Sequence, residues 1–192
     1  MRTEQRRWIL GGLLLASGVG LMAAASRKNL IRPDTRLLLV GDSLAVGLDP
    51  HLELLAEEEG IEDYRALAVS GSRIAQWADS TALEDALEIF RPTLILVSLG
   101  TNDEALGSRA ADRQAEALDE LLELFEATDA VVAWIGPPEL PFEGGGVREL
   151  IMEEVPHYFD SEDYEIPRGP DALHPTAAGY AGWAGVIWTW LT

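Results

Sequence analysis

Cysteine is absent from the 192 residues, which excludes disulfides, thiolate chemistry and cysteine-ligated metals while leaving the compartment open. Histidine is almost as scarce, with three residues, so a reaction that needs an imidazole has few positions to draw on. Basic side chains are few and unevenly placed. Five of the 14 Lys and Arg but one of the 33 Asp and Glu lie in residues 1–28, leaving residues 29–192 with nine basic against 32 acidic side chains, a net charge of −23. Such a surface repels phosphate backbones, which argues against nucleic acid as a partner and fits high solubility or a salty habitat. There is no internal repeat and no low-complexity tract beyond the acidic bias. At 47% hydrophobic residues, a chain of this length supports one well-buried domain rather than two.

The N-terminus has its own pattern. Arg2, Arg6 and Arg7 precede an uncharged stretch from Trp8 to Ala25, and Arg27 and Lys28 follow it. Eighteen helical residues span roughly 27 Å, close to the hydrocarbon thickness of a bilayer. Ala23 and Ala25 also satisfy the small-x-small pattern of a signal-peptidase site. Residues 1–28 are therefore expected to be a signal peptide or, uncleaved, a membrane anchor through residues 8–25. Basic residues flank both ends in similar number, so charge bias does not settle orientation; a first segment with a basic start usually keeps its N-terminus inside, and the expected location of the rest is extracytoplasmic, anchored or secreted. Residues 29–35 read as a polar linker and residues 36–192 as the domain.

Within the domain, short apolar runs alternate with amphipathic stretches. Arg36–Val40, Tyr64–Val69, Thr93–Leu99 and Ala130–Ile135 read as buried strands, with Tyr158–Asp160 as a weak last one. Helical patterns cover Pro50–Glu59, Thr81–Phe90 behind an N-cap at Ser80, Ala110–Ala127, Val147–Val155 and Thr176–Leu191. The prolines and the Gly144–Gly146 run between Gly136 and Pro175 mark a long irregular connection. The final helix, with Trp183, Trp188 and Trp190, reads as closing on the sheet; a membrane-surface role for its tryptophans is the alternative. Strands apolar on both faces and separated by helices imply a parallel sheet covered on both sides, so the predicted class is a three-layer α/β/α sandwich of about five strands.

Ligands bind open parallel sheets at the carboxyl ends of the strands. The first three predicted strands end in Gly41-Asp42-Ser43-Leu44, Val69-Ser70-Gly71-Ser72 and Gly100-Thr101-Asn102-Asp103, which project onto one rim. A serine hydroxyl needs a base near neutral pH, and imidazole suits that work. His51 lies about two helical turns beyond Ser43, pointing along the helix, and His157 lies in an acidic, proline-flanked segment. His174 has Asp171 three residues before it, a spacing that sets a carboxylate against one ring nitrogen and leaves the other for a serine. The backbone N–H groups of Ser43 and Gly71 and the side-chain amide of Asn102 are candidate donors to an oxyanion, glycine at 71 removing any Cβ from the approach. Asp42 and Asp103 read as braces of the surrounding loops, and Trp77 and Trp134 as core or pocket wall.

Taken singly these blocks are ordinary turn chemistry; their order is not. Gly41-Asp42-Ser43-Leu44, Gly71 after the second strand, Gly100-Thr101-Asn102-Asp103 and Asp171-Ala172-Leu173-His174-Pro175 resemble the four sequence blocks of the SGNH (GDSL-like) hydrolases, over residues 36–192. One departure is that Ala66 and Ala68 occupy the stretch where the second block often carries an Asn. The resemblance implies a flavodoxin-like strand order and no metal or other cofactor. It implies Ser43 as nucleophile, His174 with Asp171 behind it, and Ser43, Gly71 and Asn102 as the oxyanion hole. The implied activity is hydrolysis of a carboxylic ester through an acyl-Ser43 intermediate, the substrate being a short acyl group such as acetyl on a glycan, or a lipid ester. Two other readings stand beside it: a membrane-anchored scaffold without turnover in envelope polysaccharide modification, and acyl transfer by the same residues.

Overall fold

The computed structural model describes residues 29–192. The expected signal peptide or anchor in residues 1–28 lies outside them; among the described residues no helix is long and apolar enough to cross a membrane.

Five parallel strands form one sheet. They are β1 (Arg36–Gly41), β2 (Asp63–Ala68), β3 (Leu94–Ser98), β4 (Val131–Ile135) and β5 (Tyr158–Phe159). Their spatial order is β2-β1-β3-β4-β5, the flavodoxin-like order that the resemblance implies. Between them run α1 (Ser43–Glu59), α2 (Ile74–Ala78), α3 (Thr81–Phe90), α4 (Thr101–Glu104), α5 (Ala110–Glu126) and α6 (Val147–Glu154), and α7 (Ala177–Leu191) closes the chain.

The period of two along each strand divides the core into two layers. Leu37 and Leu39 of β1, Leu94 and Leu96 of β3 and Ala133 and Ile135 of β4 pack with α1 and α7. Leu38, Val40, Ile95, Val97 and Trp134 pack with α2, α3, α5 and α6 on the other face. The pairing Leu37↔Leu94 and Leu94↔Val131 keeps these faces in register. Trp183 and Trp188 are buried in the first layer and Trp190 packs against it, so the tryptophans of α7 serve the core and not a membrane surface.

This strand order has a consequence for the site. The chain leaves β1 toward β2 on one side and crosses back to β3 on the other, so the loops after β1 and β3 diverge and open a crevice between them. Ser43 follows β1 and Asn102 follows β3. The chain enters at the opposite pole, where the Leu30 N–H donates to the carbonyl of Leu191 (2.8 Å) and Ile31 is buried beside the end of α7.

Most bounds fall within a residue of expectation, and the larger differences are these. Pro50 was expected at the first turn of its helix, but α1 begins at Ser43 and carries Pro50 inside. The missing N–H leaves the carbonyl of Val46 without its helical partner on the solvent side, where Val46 is 44% exposed and water can replace it. The Asp42 cap and the burial of Leu44, Ala45 and Leu48 start the helix earlier. The short α2 and α4 were not expected, and β5 has two residues rather than three.

The acidic bias has an energetic signature. Helix α1 ends in Glu57-Glu58-Glu59, α5 carries Glu123 and Glu126 in its last turn, and α6 ends in Glu153-Glu154, with no basic residue in the last turn of any of the three. Carboxylates there oppose the helix dipole, and a net charge of −23 on residues 29–192 adds self-repulsion. Both effects are screened as the Debye length falls from about 10 Å at 0.1 M to 3 Å at 1 M salt. The melting temperature is therefore expected to rise by roughly 5–10 °C between 0.05 and 1 M KCl, at 2–4 °C per kcal/mol. A flat or falling series in a thermal melt would contradict this account.

Candidate active site

Ser43 is the first residue of α1, held at a sharp exit from the sheet. Gly41 ends β1 where a Cβ would come within 2.4 Å of both Ala45 and the Ser98 carbonyl, so only glycine lets the turn close against β3. The Asp42 N–H donates to that carbonyl (3.1 Å), and Oδ1 of Asp42 caps α1 by accepting from the Leu44 N–H (2.9 Å). As first residue of a helix, Ser43 has a backbone N–H with no intrahelical acceptor, at the end of the helix that favours negative charge.

His174 arrives from the far end of the sequence on a tight hairpin. Gly169 N–H donates to the His174 carbonyl (2.7 Å), Ala172 takes the left-handed conformation (φ 57°), and Arg168 pairs with Pro175 in an antiparallel bridge. Oδ1 of Asp171 accepts from the backbone N–H groups of Leu173 (3.1 Å) and His174 (3.0 Å), and Oδ2 meets the imidazole Nδ1 at 2.7 Å. Across 131 positions of sequence, Nε2 of His174 lies 2.8 Å from the Ser43 hydroxyl oxygen. The hydrogen bond from the His174 ring, then those from the His174 and Leu173 N–H groups, hold the Asp171 carboxyl down to about 2. As a carboxylate it is an acceptor only, which favours the tautomer with the proton on Nδ1, the one in which Nε2 accepts from the serine hydroxyl. The side chains of His174 and Asp171 are 38% and 53% exposed, so the site is open to solvent.

Asn102 sits in α4 just past β3, its Nδ2 donating to the Ser72 carbonyl (3.0 Å) and to Oδ2 of Asp42 (3.2 Å). One amide thus ties together the loops after β1, β2 and β3. Gly71 occupies the turn after β2 with φ 80°, exposed and with open space where a Cβ would project. Ser72 links that turn to β1 by donating to the Gly41 carbonyl (3.3 Å), and Trp77 donates to the Ser72 hydroxyl (2.9 Å). The structure thus brings Ser43, Asp171, His174 and Asn102 together, with Gly71 one residue from a contact of Asn102. His51 is on α1 away from the rim. His157 precedes β5, its carbonyl accepting from Trp134 N–H, beside a cavity of about 310 Å³ that Leu122, Val132 and Val155 help to line. Trp77 and Trp134 are core residues.

Two supporting side chains were not anticipated. Arg168 donates to the carbonyls of Leu173 and Glu139 (2.7 Å to the latter), clamping the histidine hairpin to the loop after β4. Glu104, buried, accepts from the N–H groups of Gly145 and Arg148 (2.6 Å to the latter) and holds the other end of that loop. The available signal was scarcity: Arg148 and Arg168 are the only basic residues after position 113. Beside Glu104 lies a cleft of about 420 Å³, with Pro137, Leu140, Phe142 and Glu149 among its lining.

Burial acts on two further carboxyl groups, Asp42 and Asp103. It pushes Asp42 up to about 7, against the Leu44 hydrogen bond and with help from nearby Asp103. Asp103 is likewise pushed up to about 6 by burial, its Oδ2 accepting from Ile74 N–H (3.3 Å). Below about pH 7 for Asp42 and about pH 6 for Asp103, each holds in the folded state a proton that the unfolded chain releases near pH 4. Their contribution is complete below that pH and is lost as the pH rises through about 6 and 7. Asp171 acts in the opposite sense, but only as the pH falls from about 4 toward about 2. The melting temperature is thus expected to rise when the pH is lowered from 8 to 5, and Asp42→Asn should flatten that dependence in a pH series of thermal melts.

The comparisons with known proteins agree with the geometry. Residues 39–181 match the GDSL-like Lipase/Acylhydrolase family. No curated protein sequence matches the chain. It is similar in structure to a psychrotrophic esterase, EstA, from Pseudoalteromonas sp., at 18% identity over 80% of this chain and 95% of that one, with a TM-score of 0.60. It is similar to a GDSL-like lipase from Bacteroides thetaiotaomicron at 17% identity over 85% and 90%, with a TM-score of 0.60. An acetylxylan esterase from Geobacillus stearothermophilus, in a catalytic-mutant form, matches at 16% identity over 84% and 96%, also at 0.60. At these identities the structural likeness shows the fold, whereas the family match spans most of the chain. The chain belongs to the GDSL-like lipase/acylhydrolase family, whose chemistry is the hydrolysis of carboxylic esters.

Proposed function

We propose that the protein is a serine esterase that removes a short acyl group, such as acetyl, from a hydroxyl of a glycan outside the cytoplasm. The observation that carries the reading is the continuous chain from the Ser43 hydroxyl to His174 (2.8 Å) to Asp171 (2.7 Å). The Ser43 oxygen attacks the ester carbonyl as its proton passes to Nε2 of His174. The tetrahedral intermediate expels the alcohol, which takes that proton. A water, deprotonated by the same nitrogen, then attacks the acyl-Ser43 ester and releases the acid and the serine. The negative charge on the carbonyl oxygen is met by the N–H groups of Ser43 and Gly71 and by the Asn102 amide, whose hydrogen on the Ser72 carbonyl turns to it.

The preference for a short acyl group and a large alcohol rests on the shape of the rim. The half-exposed His174 and Asp171 leave the site accessible to a bulky leaving group, and the spare sequence is confined to the stretch after β4 that Glu104 and Arg168 pin down. The cleft with Phe142 and Glu149 offers an aromatic face and a hydrogen-bond acceptor to a sugar beyond the scissile bond. The acetylxylan esterase among the structural relatives supports this substrate class. An export signal or anchor in residues 8–25 accords with a substrate beyond the membrane.

The test is a series of aryl esters of increasing acyl length together with a fluorophosphonate probe. Acetate and propionate esters are expected to be turned over at least about tenfold faster, in kcat/KM, than octanoate, a difference of 1.4 kcal/mol or more. The probe is expected to label Ser43. Preference for long chains would redirect the assignment to lipid esters, and a folded protein inert to the probe would point to the scaffold reading.

A further inference from the structure

The carboxylate of Asp42 takes no part in the proton chain from Ser43 to Asp171, yet it is fully buried one residue before the proposed nucleophile. Burying a carboxyl group is unfavourable unless its oxygens are hydrogen-bonded. Capping α1 needs only one oxygen, and Ser, Thr or Asn would supply it. Asp42 uses both: Oδ1 accepts from Leu44 N–H at 2.9 Å and Oδ2 from the Asn102 amide at 3.2 Å. Aspartate is the short side chain that offers two acceptors from one position.

The amide at the other end is equally constrained. Nδ2 of Asn102 has two hydrogens, and its two acceptors come from different loops, Asp42 Oδ2 and the Ser72 carbonyl at 3.0 Å. Between them they exclude the flipped amide, which would turn its oxygen toward two acceptors. Asp103, the neighbouring buried carboxyl, faces α2 instead, its Oδ2 accepting from Ile74 N–H. We propose that Asp42 is a positioning residue for the reaction, holding one hydrogen of the Asn102 amide so that the other, which donates to the Ser72 carbonyl here, is presented to the oxyanion when substrate binds. The proposal rests on the ester-hydrolase reading and assigns the second oxygen of Asp42 a task that helix capping does not require.

A double-mutant cycle tests it, with kcat and KM for an aryl acetate measured on wild type, Asp42→Asn, Asn102→Ala and the double variant. Asparagine keeps the cap but offers one acceptor in place of two. Asp42→Asn is expected to lower kcat by roughly 10- to 100-fold with KM changed less than threefold, a part of what the loss of an oxyanion donor costs. In the Asn102→Ala background the same change is expected to have no further effect on kcat. Asp42→Ser, which caps the helix but does not reach Asn102, gives the same pattern and serves where Asp42→Asn does not fold. Losses that multiply between the two sites, an unchanged kcat in Asp42→Asn, or a full rate in Asn102→Ala would overturn the proposal. Those outcomes leave the esterase reading intact as long as the wild type turns over acetate and reacts with a fluorophosphonate; an inert wild type removes both.

Discussion

Ser43→Ala is expected to remove ester turnover while leaving the fold in place. The substitution deletes one hydroxyl, and the contacts that hold the exit from β1 do not involve it. Asp42 still caps α1 through Leu44, and its own N–H still donates to Ser98. His174 loses its partner at 2.8 Å but stays tied to Asp171 through ring and backbone. Losing one half-buried hydrogen bond whose other partner reaches solvent costs about 0.5–1.5 kcal/mol, too little to unfold the domain. The chemistry has no such reserve. On the proposed mechanism, losing the oxygen removes the acyl-enzyme and leaves only water attack assisted by the proposed oxyanion donors, so kcat should fall by about 10⁴- to 10⁶-fold. The measurement is turnover of an aryl acetate, with intact mass after fluorophosphonate treatment as the second readout. A variant that hydrolyses at the wild-type rate, or that still takes up the probe, would dismiss Ser43 as the nucleophile.

Asp171→Asn should cost nearly as much, by a different route. Oδ1 of Asp171 is committed to two backbone N–H groups, so an asparagine in the same rotamer must keep its oxygen there. Its amide nitrogen then faces Nδ1 of His174, a donor where the carboxylate was an acceptor. The ring answers by moving its proton to Nε2, the nitrogen that has to accept from Ser43. A loss of about 10⁴-fold in kcat with little change in KM is expected, since geometry survives and only the tautomer is wrong. Because hydrogen bonds hold Asp171 down to about 2, the wild-type rate should show no acid limb attributable to this carboxyl above pH 4. An Asp171→Asn enzyme within tenfold of wild type would mean that the imidazole is oriented by something else.

The fold was legible where one physical signal dominated. The central strands announce themselves because both faces are covered, so every position from Leu37 to Val40 and from Leu94 to Val97 is apolar. Helix α3 lies within the predicted bounds, since its Ser80 cap and the left-handed exit at Arg91 ahead of Pro92 are local chemistry. Local chemistry misled at Pro50, where packing of the preceding turn on the sheet outweighed a lost hydrogen bond. The pairing of Asp171 with His174 is likewise a local matter of spacing, and the structure supplies its turn. What no spacing could give was the reach from His174 to Ser43, or the partner of the second Asp42 oxygen, since both depend on how distant loops meet. The Arg168 clamp was hidden for the same reason: its acceptors are backbone carbonyls, and carbonyls have no signature in sequence.

The attachment of Leu30 to the last residues of α7 sets a polarity on the whole molecule. Leu30 and Ile31, at the start of the described residues, lie at the pole opposite the reactive crevice, with the length of the strands in between. Gripped by that end, whether by a bilayer, a surface or a fused neighbour, the molecule would hold its mouth outward like a cup on a stalk. A long polymer could then slide across the opening sideways, while a lipid lying in the supporting sheet would be on the wrong side of the cup.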